Sequence, residues 1–113
     1  MIIATMKETF GEYIRRLRIE KGLTLTQLGA FIGIDSGALS KIENGKKELD
    51  EKVLPRIAEV FQLDLSKLKE EFISEQIAFK IYKSNCSENV LSLAEKKVKY
   101  LKQKFVKQGN LNL

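Results

Sequence analysis

Between Gly22 and Gly45 the chain alternates capping residues, short apolar repeats and glycine stops at a spacing that leaves little conformational choice. Thr24 is placed to cap a short helix that buries Leu28 and Ile32, and Gly33 ends it where a tight turn needs a positive φ. Asp35 caps the next helix, whose Leu39 and Ile42 face inward before Asn44-Gly45 breaks it. Two short helices therefore meet across a turn of about three residues. Leu28, Ile32, Ile34, Leu39 and Ile42 tie both into one core, and small Gly29 lets them cross closely.

The flanks continue the helical pattern. Thr9 and Glu12 have capping-box spacing, after which Phe10, Ile14 and Leu17 repeat at helical intervals until Gly22 offers a left-handed stop. A fourth helix lies near Asp50 to Gln62, with Ile57, Ala58 and Phe61 on its apolar side. Pro55 falls late for a helix capped at Asp50, which implies either a kink or a true start nearer Pro55. Asp64 or Ser66 caps a long fifth helix that runs to about Lys83 and carries Leu68, Phe72, Ile77 and Ile81. The apolar positions of the first, fourth and fifth helices are expected in the core.

Ser84 to Ser87 is a polar break. Beyond it Leu91, Ala94, Val98, Leu101 and Phe105 follow a 3,4,3,4 spacing, the seam of a helix that packs against a partner helix. Lys96, Lys97, Lys99, Lys102, Lys104 and Lys107 form a basic run beside that seam and read as a solvated face. Gly109 to Leu113 are expected to fray. The organisation expected is a helical domain over residues 7–83, its two-helix motif at 24–44, and a helical extension over 84–113 for dimerisation.

Composition removes several function classes. The single proline, the near absence of strand-length alternation and a 43% hydrophobic content point to an all-α fold. No histidine and one cysteine leave the chain without the usual zinc or redox-metal ligands and without an internal disulfide, so no cofactor is expected. Cys86, near a helix start, reads as inert. Met1 to Met6 are mostly apolar yet too short for a secretory core or a membrane span, so a cytoplasmic location and no membrane contact are expected. Glu70, Glu71 and Glu75 would be the one conceivable acid/base cluster. With no adjacent nucleophile they read as an exposed helical face, and no enzyme is expected. A formal charge of +5 favours polyanionic partners.

The residues from Gly22 to Gly45 resemble the Cro/CI-type helix-turn-helix of the XRE family, and with the flanking helices the resemblance covers roughly residues 9 to 75. It implies a five-helix, lambda-repressor-like domain with an additional C-terminal helix. In that family the third helix enters the major groove of double-stranded DNA, normally as half of a symmetric homodimer on a pseudo-palindromic operator. The groove-facing side of the third helix, opposite Leu39 and Ile42, would present Ser36, Gly37, Ser40 and Lys41, with Ala38 near its edge. Lys41 is the long donor there, while the serines can bond a base edge or a phosphate and Ala38 can meet a thymine methyl. Asn44, Lys46 and Lys47 match positions that contact phosphate. Thr24, Thr26 and Gln27 offer further phosphate contacts from the start of the second helix.

Two positions depart from the family pattern. Leu25 stands where glutamine often braces the recognition helix, and Phe31 occupies a commonly polar position that would need a cover. Phe10 to Arg18, Leu54 to Ala58 and the lysine-rich last helix further resemble XRE regulators found beside restriction-modification genes, which implies a controller of such an operon. The competing reading is an antitoxin-like or phage-type XRE protein acting mainly through protein–protein contacts, which an exposed apolar patch around Ile2, Ile3 and Phe31 would favour.

Overall fold

The structure, a computed structural model, describes residues 7–108, with side chains for residues 7–106. The expectations about Met1 to Met6, Ile2 and Ile3, the Lys107 side chain and Gly109 to Leu113 lie outside the described residues. Six helices follow one another: α1 (Phe10–Glu20), α2 (Leu25–Ile32), α3 (Ser36–Glu43), α4 (Leu54–Phe61), α5 (Leu65–Ser84) and α6 (Asn89–Gln108), with no strand among the described residues. The fold is all-α, as expected.

Each start and stop has a local chemical cause. Thr9 Oγ1 accepts the Glu12 N–H at 3.1 Å and Glu12 Oε1 accepts the Thr9 N–H at 2.8 Å, so two of the donors left open at the start of α1 are satisfied. Gly22, at φ +74°, lets the chain leave α1 in the left-handed region. Asp50 caps a single 3₁₀ turn over Glu51–Val53, and α4 then begins at Leu54 with Pro55 in its first turn. Of the two arrangements the sequence allowed, the start near Pro55 is the one formed, because the backbone N–H that proline lacks would have no intrahelical acceptor in the first turn in any case. Asp64, not Ser66, caps α5: its Oδ1 accepts the N–H groups of Ser66 at 2.9 Å and Lys67 at 3.3 Å.

By its contacts the chain divides after Gln76. The first unit holds α1 to α4 and the start of α5 around one apolar core, in which Ile14, Leu17, Leu28, Ile32, Leu39, Leu54 and Ile57 are fully buried. Each such side chain contributes about 1.5–3 kcal/mol relative to exposure. Phe10 sits edge-on to Phe72, with ring centroids 5.3 Å apart, and so joins α5 to α1.

The second unit, from Ile77 onward, holds the rest of α5 and α6. Asn85, at φ 59°, ends α5 within the predicted polar break. On α6 the predicted seam is an exposed stripe: Leu91, Val98 and Leu101 are 51%, 48% and 43% accessible, Ala94 is exposed, and Phe105 is half-buried. With half-buried Val90, these residues fall within an arc of about 100°.

Three expectations are corrected. Ile77 and Ile81 are not core, Ile77 being exposed and Ile81 half-buried outside the core cluster, because on α5 they lie off the face that buries Leu68 and Phe72. Phe31 is not covered; it is 60% accessible. Glu75 is not part of an exposed acidic face: it is half-buried, and its Oε1 accepts the N–H of Phe10 at 2.8 Å. That N–H, in the first turn of α1, would otherwise lack a partner.

Candidate nucleic-acid interface

α2 and α3 are built as a rigid pair before any ligand is considered. Thr24 Oγ1 accepts the Gln27 N–H at 3.0 Å, and Gln27 Oε1 accepts the Thr24 N–H at 2.9 Å, a second capping box. Gly33 closes α2 at φ +77°, and the N–H groups of Gly33 and Ile34 both reach the Gly29 carbonyl, at 2.8 and 2.9 Å. The turn passes so close to Gly29 that a Cβ there would lie 2.2 Å from the Ile34 carbonyl oxygen, which is why this position is glycine. Asp35 Oδ1 then accepts the Ala38 N–H at 2.9 Å and starts α3.

α3 is also fixed from behind. A Cβ on Gly11 would stand 2.3 Å from the Ile42 carbonyl oxygen, so α1 and α3 meet backbone to backbone. Arg18 of α1 donates from Nε to Glu43 Oε2 at 2.8 Å and from Nη2 to Glu43 Oε1 at 3.0 Å, while Nη1 donates to the Leu23 carbonyl at 3.0 Å. The Glu43 side chain is 3% exposed and that of Arg18 12%. The Glu43 hydrogen bond holds the Arg18 pKa above its ordinary value, against the opposing cost of burial. One buried ion pair thus binds the last turn of α3 to α1 and to the entrance of α2.

With Leu39 and Ile42 buried, the other face of α3 looks outward. Ser36, Gly37 and Lys41 are exposed, and Ala38 and Ser40 are half-exposed. At the end of the helix Asn44 Nδ2 donates to the Ser40 carbonyl at 2.9 Å, leaving one amide hydrogen and the side-chain oxygen available, and Lys46 and Lys47 follow in the exposed turn. Thr24, Thr26 and Gln27 are exposed at the start of α2. The capping box uses the acceptor atoms of Thr24 and Gln27, so the Thr24 hydroxyl hydrogen and the Gln27 amide hydrogens remain as donors. Leu25 is half-buried and packs on the core, so the glutamine brace typical of the family has no counterpart at this position.

The sequence alone did not single out Arg18 or Glu43, and it pointed to Glu75 only as one of three carboxylates on an exposed face. A signal for the pair was present: Arg18 lies four residues after Ile14, and Glu43 four after Leu39, so each charge extends an inward-facing stripe by one turn.

Two capped helices joined by a left-handed glycine turn, the second pinned from behind and open in front, define a helix-turn-helix domain. Residues 14–68 match the family model described as Helix-turn-helix, and this chain carries an XRE-type helix-turn-helix domain. It is 48% identical over 40 residues to the HTH-type transcriptional repressor RghR of Bacillus subtilis, covering 35% of this chain and 30% of that protein. It is 35% identical over 63 residues to the transcriptional regulator ClgR of Mycobacterium tuberculosis, covering 56% of each. The matches therefore span between 30% and 56% of those relatives. The solved clp gene regulator ClgR from Corynebacterium glutamicum shares the fold, with a TM-score of 0.50 at 23% identity over 73% of this chain and 86% of that one.

Proposed function

We propose that this chain is a sequence-specific double-stranded-DNA-binding transcriptional regulator that acts as a homodimer on a pseudo-palindromic operator. The observation that carries the reading is the outer face of α3. Its exposed Ser36, Gly37 and Lys41 project from a helix whose opposite side is buried and whose last turn is held by the Arg18–Glu43 pair. A recognition element must hold its base-reading side chains still. Lys41 and the serines read bases, Ala38 offers a methyl contact, and Thr24, Thr26, Gln27, Asn44, Lys46 and Lys47 set the register on phosphates.

The stripe of exposed Leu91, Ala94, Val98 and Leu101 with half-buried Phe105 supports dimerisation through α6, where a two-fold axis lets the same face meet itself. On this reading the DNA-binding domain ends near Lys83 and the extension from Ser84 onward assembles the dimer. The test is selection of duplexes from a randomised pool by the purified chain. Sites with half-site centres about 10–10.5 bp apart, or a multiple of that spacing, are expected to be enriched. A pool that remains random overturns the reading.

A narrower form of the same function is control of a restriction-modification operon, supported by the resemblance of Phe10 to Arg18, Leu54 to Ala58 and the lysine-rich last helix. Protection of the DNA upstream of its own gene, but of no other promoter, is the outcome that form requires. Phe31 gives weight to a second reading, an XRE protein acting mainly on a protein partner, because a phenylalanine 60% exposed on α2 is suited to a partner contact. Unchanged operator binding by Phe31→Ser together with loss of a co-purifying partner would support that second role.

A further inference from the structure

The charge of this chain is divided unevenly between its two units. Residues 1–76 hold twelve lysines and arginines against thirteen aspartates and glutamates, a net charge of −1. Residues 77–113 hold eight lysines against two glutamates, a net charge of +6. The helix-turn-helix unit therefore carries no net positive charge, and the whole surplus of the +5 chain resides outside it. Long-range attraction to a duplex, which carries one negative charge per ~1.7 Å of axis, depends on summed charge.

The lysines of α6 are placed to supply it. Lys96, Lys97, Lys99, Lys102 and Lys104 are all exposed, and among the described residues none has a carboxylate within ion-pair distance. Helical periodicity puts Lys96 and Lys99 on the side away from the apolar stripe, so a partner helix on the stripe leaves them in solvent. From Lys96 to Lys104 the basic surface runs about 12 Å along the helix, enough to follow several phosphates.

We infer that the exposed lysines of α6 form a second, sequence-independent DNA-binding surface that contacts the phosphate backbone. This rests on the DNA-binding reading above. It gives the two units separate emphases: α3 selects the site, and α6 adds salt-dependent affinity to the few phosphate contacts that Lys46 and Lys47 supply from the helix-turn-helix unit.

The test uses the full chain with two fluorescent duplexes, one carrying the selected site and one unrelated, titrated between low and moderate salt. Three variants are compared with the parent: glutamine at Lys96, Lys97, Lys99, Lys102 and Lys104; Lys96→Gln with Lys99→Gln only; and arginine at all five positions. The five-glutamine chain should lose affinity about tenfold or more, by the same factor on both duplexes. Its salt slope should drop by about one for each phosphate contact removed. The two-glutamine chain should show part of the same loss, and it decides the matter if the larger set misfolds by circular dichroism. The arginine chain should retain the parent slope. Unchanged slopes in the glutamine chains, a loss confined to the selected duplex, or an equal loss in the arginine chain each overturn the inference while leaving α3 as the DNA reader. So does a loss of binding to phosphatidylserine vesicles with DNA binding intact, which would assign the face to a lipid surface. A parent chain that binds neither duplex removes the DNA-binding reading itself, and the inference with it.

Discussion

Arg18 and Glu43 form a two-pronged ion pair between α1 and the last turn of α3, at 2.8 and 3.0 Å, with both side chains largely shielded from water. Removing either partner leaves the other charged and buried, which costs about 3–5 kcal/mol, whereas replacing both with apolar residues costs far less. Glu43→Ala and Arg18→Ala should therefore each lower the urea midpoint strongly, while Arg18→Met with Glu43→Leu should recover most of it. Additive losses in the double variant would show that the two residues act separately. Because the folded Arg18 pKa is raised, its contribution is complete below the ordinary arginine range and is lost only as pH climbs through the still higher folded value. The pair is therefore insensitive to pH near neutrality.

Gly11 sets how closely α1 and α3 approach. In Gly11→Ala the new methyl would meet the carbonyl oxygens of Ile42 and Glu43, at 2.3 and 2.9 Å, both backbone atoms that cannot rotate away. Overpacking of this kind costs about 1–3 kcal/mol. It should also displace α3, so operator affinity should fall at temperatures where the variant is still folded. A Gly11→Ala protein with parental stability and parental affinity would mean that the two helices part without consequence.

Most of the first unit was legible because its signals are local. Thr9, Thr24 and Asp35 announce helix starts, Gly22, Gly33 and Gly45 announce stops, and each stands where it was expected. What was not legible depends on pairs distant in sequence. Glu75 reads as one carboxylate on a polar face until α5 folds back and brings it to the Phe10 N–H, sixty-five positions away. Phe31 is the opposite case: an aromatic ring implies a cover, yet at the edge of the buried face of α2 it stays 60% accessible. Ile77 is a different miss: the five-residue step from Phe72 turns it about 140° around α5, away from the face that Leu68 and Phe72 bury, so the helical period itself excludes it from that core.

Tyr13 makes the domain sensitive to alkali. Its pKa is raised above the ordinary 10.0, chiefly by burial, with Arg16 opposing and Glu71 and Glu8 assisting. The unfolded chain then loses its phenolic proton first, so folding stability falls as pH rises past 10.0 and keeps falling until the folded value is passed. Tyr13→Phe should show a shallower decline of stability over that range, measured as the pH dependence of the urea midpoint. Parallel curves for the two proteins would contradict this assignment. Lysine titration is common to both and cancels in the comparison.

Lys41 is the long donor on the open face of α3, and its role separates base reading from phosphate contact. If it bonds guanine, Lys41→Ala should cost about 1–3 kcal/mol on the selected duplex and much less on an unrelated one. The salt slope should change little. An equal loss on both duplexes, with a shallower slope, would move Lys41 to the phosphate class and leave the small residues Ser36, Gly37, Ala38 and Ser40 to read the site mainly through DNA shape.

Leu101 tests whether α6 completes the molecule. Its stripe, from Leu91 to Phe105, is exposed in the single chain, and at about 25 cal/mol per Å² leaving it in water forgoes several kcal/mol that a partner would recover. On the proposed homodimer Leu101 lies inside a two-fold contact, so Leu101→Asp buries an unpaired carboxylate or breaks the interface. Light scattering should then report a monomer, while the far-ultraviolet helix signal is largely kept because the core of the first unit does not include α6. Each monomer holds one half-site, so binding to a two-half-site duplex should weaken far more than the loss of one contact explains, and binding to an isolated half-site should be nearly unchanged. A Leu101→Asp protein that remains dimeric, or a parent chain that is monomeric at micromolar concentration, would assign the stripe to something other than a second copy of this chain.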